Sequence, residues 1–158
     1  MLLYEPELRR WGTAIGREIG LPAFICLRGE LGAGKSVLAR AIARGAGVEG
    51  NIPSPTFNLL FRYDTPRGGQ VIHLDLYRLT DPDEVWELGW EELGGDEQIV
   101  LVEWPERAEA HLPPSRWEIR LGSVPGDPLV RRVVVSRVGR PPDLPTFPLT
   151  VDSGGDAP

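Results

Sequence analysis

The chain has 158 residues, 41% of them apolar, which suffices for one domain with a packed core and is too little for two. Lys and Arg number 17 against 23 Asp and Glu, and the resulting net charge of -6 disfavours a broad, direct grip on a phosphodiester backbone. A lone cysteine, Cys26, excludes an intrachain disulfide. With only His73 and His111 to join it, no Cys/His zinc cluster can be built, so a reducing, cytoplasmic setting is expected. Charges enter at Glu5 and Glu7 and no apolar run reaches membrane-spanning length, so neither export nor membrane insertion is expected. All basic residues but one are arginine, and the exception is Lys35.

Leu8, Trp11, Ile15 and Ile19 recur at helical spacing before Pro22 and predict an amphipathic helix over residues 5 to 20. AFICLR, residues 23 to 28, is a nearly continuous apolar run of the kind that forms a strand buried on both faces. A glycine-rich stretch from Gly29 to Gly34 follows. Leu38, Ala41, Ile42 and Ala46 then restore a helical stripe from Lys35 onward. TFNLLFRYD from Thr56 and VIHLDLYRL from Val71 read as a β-hairpin around DTPRGGQ. Asp81 and Glu84 form a capping signature for a short helix through Val85, Trp86 and Leu88 that stops at Gly89, and Trp86 and Trp90 read as core or interface aromatics. QIVLVEW, residues 98 to 104, is a second buried-type strand, and PERAEAHL after it opens with a proline suited to a first helical turn. RWEIRLGSV and LVRRVVVSRV around PGDP predict a final antiparallel hairpin. Residues 139 to 158, rich in proline and glycine, read as a disordered tail. The expected fold is an α/β, P-loop NTPase-like mixed sheet, with central parallel strands and antiparallel hairpins flanked by helices, in a single domain over residues 1 to 138.

Gly29-Glu30-Leu31-Gly32-Ala33-Gly34-Lys35-Ser36 fits G-x-x-x-x-G-K-[ST] between a predicted buried strand and a predicted helix. Glycines let successive backbone N–H groups converge on phosphate oxygens, and the start of the following helix directs its positive end at the same anion. Lys35 adds a point charge for the β and γ phosphates, and Ser36 a hydroxyl for Mg²⁺. An N-K-x-D guanine-reading segment would need a second lysine, so ATP is the expected nucleotide, with Glu30, Leu31, Gly32, Ala33, Gly34, Lys35, Ser36, Val37 and Trp104 the expected binding residues.

Asp75 interrupts an apolar strand, where an unpaired carboxylate is costly. It either joins a Mg²⁺ shell as a Walker B acid or faces solvent beside Arg78 or Arg62. Glu103 ends the IVLV run at the C-terminal end of a strand, where ligands gather in open α/β sheets. It either ligates Mg²⁺ or orients the attacking water. Trp104 beside it shields the site or fills core. Ser54-Pro55-Thr56-Phe57 is a rigid loop whose hydroxyls could meet the γ-phosphate or metal, and is equally ordinary turn chemistry. Cys26 and His73 read as core residues.

Taken in order, GELGAGKS, SPTF, HLDLYRL, ELG at Glu87 to Gly89, and VEWPER resemble the TsaE (YjeE) family of P-loop ATPases, over about residues 5 to 138. The resemblance implies an ATPase, slow alone, that works with the proteins TsaB and TsaD in threonylcarbamoyl modification of adenosine 37 in tRNAs reading codons that begin with A. It further implies that tRNA is met only through those partners. By motif, Lys35 and Ser36 would hold phosphate and Mg²⁺, Thr56 would belong to a switch-like loop, Asp75 would be the Walker B acid, and Glu103 with Trp104 would form the third motif. Val37 stands where the family often has a second hydroxyl. A monomer is expected for the isolated chain. Two other readings compete: a small-molecule P-loop kinase, and a non-hydrolytic ATP-dependent binding switch.

Overall fold

Alternate residues of AFICLR point to opposite faces of a sheet, and both sets are apolar, so this segment is stable only between two layers. The computed structural model, which describes residues 1–53 and 59–147, places it in the middle of a seven-stranded mixed sheet. The elements in chain order are β1 (Leu2–Tyr4), α1 (Glu5–Glu18), β2 (Ala23–Arg28), α2 (Lys35–Gly45), β3 (Leu60–Asp64), β4 (Gln70–Asp75), β5 (Gln98–Glu103), β6 (Arg116–Val124) and β7 (Asp127–Val138). Short 3₁₀ helices at Pro82–Leu88, Trp90–Glu92 and Pro105–His111 complete the set. Strand order is β1-β7-β6-β2-β5-β4-β3. β6, β2, β5 and β4 run parallel, and the two predicted hairpins, β3–β4 and β6–β7, are antiparallel. The expected fold class is thus the observed one.

One face of the sheet packs against α1 and α2. Ile25, Leu27, Ile99, Leu101, Ile119 and Leu121 meet Leu8, Trp11 and Ile15 of α1 and Leu38 and Ile42 of α2 in one buried cluster. Truncating any of these aliphatic side chains to alanine would cost about 2–5 kcal/mol. The other face carries Phe24, Cys26, Ile72, Leu74, Val100 and Val102, covered by Leu76, Leu79, Val85, Trp90 and Ala108 from the segments around the 3₁₀ helices. The two α-helices touch backbone to backbone. A Cβ on Gly16 would stand 1.9 Å from the Ile42 carbonyl oxygen, and one on Gly45 2.0 Å from that of Thr13.

The structure departs from the sequence reading in three places, and it separates the two tryptophans Trp86 and Trp90. β1 was not anticipated; it pairs antiparallel with β7 at the sheet edge. The apolar pattern VIHLDLYRL is strand only as far as Asp75, because the backbone N–H of Tyr77 turns back to donate to Asp75 Oδ1 at 3.0 Å. Leu76 and Leu79 then fill the second cluster from a turn. Of the two tryptophans read as core or interface aromatics, Trp90 is the core one; Trp86 is exposed and packs edge-on against the His111 ring, which leaves it the interface reading. The expected disordered tail is corrected for residues 139 to 147. Trp117 Nε1 donates to the Pro142 carbonyl at 2.7 Å, Trp11 Nε1 donates to that of Pro145 at 3.0 Å, and Leu144 and Phe147 pack on the first cluster. Two indole donors that need acceptors, and exposed core edge beside them, hold this proline-rich segment in place. Among the described residues, no helix is long and apolar enough to cross a membrane.

Candidate functional site

The phosphate loop leaves the C-terminal end of β2 and enters α2 at Lys35, as the strand–loop–helix mechanism requires. Gly34 caps the helix with φ of 104°, a left-handed conformation that a side chain would resist. β5 lies beside β2 and β4 beside β5, all parallel, so the ends of three strands open on one side of the sheet. A cleft of about 280 Å³ lies there, lined by the loop from Leu31 to Val37 together with Asp75, Glu103 and Trp104.

Within the cleft the side chains of Lys35, Ser36, Glu103 and Asp75 each have a partner. Lys35, 4% exposed, donates from Nζ to the carbonyl oxygens of Gly29 at 2.6 Å and Glu30 at 2.7 Å, and its ammonium lies 4.3 Å from the centre of the Trp104 ring. Burial pushes the ammonium below its ordinary pKa, while the charges of Glu103 and Asp75 pull the other way. Ser36 Oγ donates to Glu103 Oε1 at 2.8 Å. The other oxygen, Oε2, is 2.6 Å from His73 Nε2. Asp75 is the register partner of Glu103 on the neighbouring strand, and burial, reinforced by the Glu103 charge, pushes its carboxyl up against the hydrogen bond from Tyr77. Trp104 has a left-handed backbone (φ 57°, ψ 48°), and its ring packs at 4.8 Å against Tyr77, tilted by 48°, while covering Lys35. Arg28, the last residue of β2, bonds Glu118 and Glu109 and so ties the entry of the phosphate loop to the 3₁₀ helix that follows Trp104.

The sequence-predicted site residues thus divide. Leu31, Gly32, Ala33, Gly34, Lys35, Ser36, Val37, Asp75, Glu103 and Trp104 come together around one cleft. Glu30 contributes its carbonyl to Lys35, but its side chain points away and accepts from Ser123 Oγ at 2.6 Å, a bond that holds its carboxyl below the usual range. Thr56, with the rest of residues 54–58, lies outside the described residues. His73, read as a core residue, is buried on β4 as expected, and the contact of its Nε2 with Glu103 is what the sequence reading did not foresee. The spacing of His73 from Asp75 was the available signal, because residues two apart in a strand share a face.

A mixed α/β sheet with G-x-x-x-x-G-K-S between a central strand and its helix, carboxylates at the ends of adjoining parallel strands, and a buried lysine define a nucleotide-binding protein of the P-loop class. Comparison with known proteins carries the assignment further. The sequence profile of the family described as "Threonylcarbamoyl adenosine biosynthesis protein TsaE" matches residues 4–132, and the chain belongs to that family. A TsaE protein of Rickettsia prowazekii is 43% identical over 117 residues, covering 73% of this chain and 79% of the relative. One from Haemophilus influenzae is 40% identical over 89 residues, 56% of each chain. The crystal structure of YdiB from Bacillus subtilis superposes with a TM-score of 0.67 at 25% identity, covering 88% of this chain and 84% of that one.

Proposed function

We propose that the protein binds ATP with Mg²⁺ and hydrolyses it, slowly alone and faster with the partner proteins TsaB and TsaD, in support of threonylcarbamoyl transfer to adenosine 37 of tRNA. The observation that carries this reading is the Ser36–Glu103 pair at the mouth of the phosphate loop, 2.8 Å apart, with Asp75 in register beside it. A hydroxyl and one or two carboxylates are hard oxygen donors of the kind Mg²⁺ takes when phosphate oxygens and waters supply the rest. Among the described residues, no group of three or more His, Cys, Asp or Glu side chains could hold a metal by itself. That suits an ion that arrives with its nucleotide. Ser36, Asp75 and Glu103, which line the same cleft, would hold it, and when bound it would neutralise charge on the β and γ phosphates.

The chain's own residues have distinct tasks. Loop amides and the positive end of α2 bind the phosphates. Lys35 exchanges the Gly29 and Glu30 carbonyls for phosphate oxygens. Asp75, whose carboxyl is pushed up by burial, would join the Mg²⁺ shell as the Walker B acid, and Glu103 would ligate the same ion or orient the attacking water. Thr56 of the SPTF loop is assigned to sensing the γ-phosphate. The reading keeps the protein in the cytoplasm, as a monomer when isolated, meeting tRNA only through its partners.

The test is ATP turnover by the purified chain with and without TsaB and TsaD, for the unmutated protein and Glu103→Gln. Stimulation by the partners and a fall of about 10²-fold or more in the variant are expected, with ATP still bound. Turnover unchanged in Glu103→Gln would overturn the hydrolytic assignment, and turnover that required a small-molecule acceptor would favour a kinase.

A further inference from the structure

We propose that His73 is a positioning residue for Glu103: it fixes one carboxylate oxygen so that the other is presented beside Ser36. This rests on the Mg²⁺-nucleotide reading above and assigns a task to a residue outside the cleft lining.

Glu103 is 2% exposed and His73 1%. A carboxylate taken from water needs hydrogen bonds to offset its lost hydration, and it can only accept them. Glu103 receives two, on different oxygens and from different elements. Ser36 at the start of α2 donates to Oε1 at 2.8 Å, and His73 on β4 stands 2.6 Å from Oε2. Since the acceptor is a carboxylate, Nε2 carries the hydrogen.

Register explains how the two side chains meet. Leu101 is the partner of His73 and Glu103 that of Asp75, on adjacent parallel strands. Leu101 and Val71 belong to the cluster beneath α1 and α2, so His73 and Glu103, two residues on from each, share that face. Histidine therefore sits one step behind the carboxylate, toward the core, with the helix bearing Ser36 in front.

The two bonds are not equivalent. Both partners of the Ser36–Glu103 bond are groups assigned to the metal, so metal binding contests it. His73 is not a proposed ligand, and its bond persists. Without it, Oε2 would be a buried acceptor with no partner, and the carboxylate would be free to rotate toward whatever donor remained. Tyr63 Oη is the one buried side-chain polar atom without a partner among the described residues, so this interior leaves few such groups unpaired.

Three substitutions separate positioning from packing. His73→Gln can carry an amide N–H to about the place of Nε2, His73→Asn is too short to reach Oε2, and His73→Leu has no donor. Mn²⁺ affinity of the protein–ADP complex is read by electron paramagnetic resonance, and ADP affinity in EDTA by calorimetry. For Asn and Leu we expect Mn²⁺ affinity to fall about 10- to 100-fold, with metal-free ADP affinity unchanged, and for Gln to lie within a few-fold of the unmutated chain. Unweakened Mn²⁺ binding in Asn and Leu would overturn the proposal. So would Gln as defective as Leu, which would mean the site needs only an imidazole's shape. If the unmutated protein gains no nucleotide affinity from Mn²⁺ at all, the metal reading fails and His73's role with it, an outcome distinct from a defect confined to the variants. Nitrogen-15 NMR of the unmutated chain gives a check that no substitution can spoil: Nε2 of His73 should carry a hydrogen, and a bare Nε2 would overturn the assignment.

Discussion

Lys35 is the residue on which the electrostatics of the cleft turn, and it is held by two carbonyl oxygens and an indole face. Charge-assisted hydrogen bonds contribute about 1.5–3 kcal/mol each, so Lys35→Ala should weaken ATP binding at least ten-fold in calorimetry, with the fold intact by circular dichroism. Asp75 makes the opposite kind of contribution. Burial raises its folded-state pKa above the ordinary 3.8, so its ionisation opposes folding. That cost is absent below the unfolded value, grows as pH rises toward the folded value, and is fully present above it. Asp75→Asn keeps an acceptor for the Tyr77 amide, and should raise the melting temperature of the nucleotide-free chain at neutral pH while lowering ATP turnover. The gain should fade as pH falls toward 3.8, which thermal scans across pH would show.

At the scale of elements, the contact between α1 and α2 is set by glycine. Replacing glycine by alanine inside a helix ordinarily gains up to about 1 kcal/mol. At Gly16 the added Cβ would lie 1.9 Å from a backbone carbonyl oxygen, and forcing packed helices apart costs about 1–3 kcal/mol. Gly16→Ala should therefore lower the melting temperature, and an unchanged or raised value would show that the helices can separate without loss. The helices and the strands β2 and β5 were legible because their apolar periods run over six residues or more. β1, at three residues, is too short to show a period. The pattern of β4 misled beyond Asp75, since alternation records which side chains are buried and not whether the backbone stays extended: Leu76 and Leu79 are buried from a turn. In the site, the phosphate loop and both carboxylates could be read because their chemistry is local. The spacing of His73 from Asp75 showed only that the two share a strand face; its contact with Glu103 was not legible, because Glu103 lies on another strand and strand order is not written in a periodic pattern.

Over the whole molecule, the last described segment closes the core. Truncation after Gly139 would remove the acceptors of Trp11 and Trp117 and the cover given by Leu144 and Phe147, whereas truncation after Phe147 keeps them. A buried donor left unpaired costs about 1–3 kcal/mol. In a chain of this size each kcal/mol shifts the melting temperature by about 2–4 °C, so the shorter form should melt of the order of 10 °C below the longer. Equal melting temperatures would show the segment to be dispensable. The net charge of -6 sets a second expectation for the intact molecule. Its field opposes a polyanion, and Arg28 and Arg116 are already matched by Glu118. The isolated chain should bind tRNA with no submicromolar affinity in filter binding near physiological salt, and tight, steeply salt-dependent binding would revive direct RNA recognition.

The strand order also fixes when the molecule can begin to work. β2 and its phosphate loop leave the ribosome early, yet both strands that flank β2 are made much later: β5 starts at Gln98 and β6 at Arg116. At about 5–20 residues per second, the apolar β2 waits roughly 4–14 s for its first neighbour. Glu103 arrives with that neighbour, so the phosphate-loop segment is synthesised seconds before the carboxylate that faces Ser36. The edge strand β1 waits longer still, for β7, the last strand to be made. A nascent chain of this protein therefore carries Lys35 well before Glu103 has been synthesised, and the cleft that the phosphate loop shares with Asp75, Glu103 and Trp104 is complete only once β5 has been made.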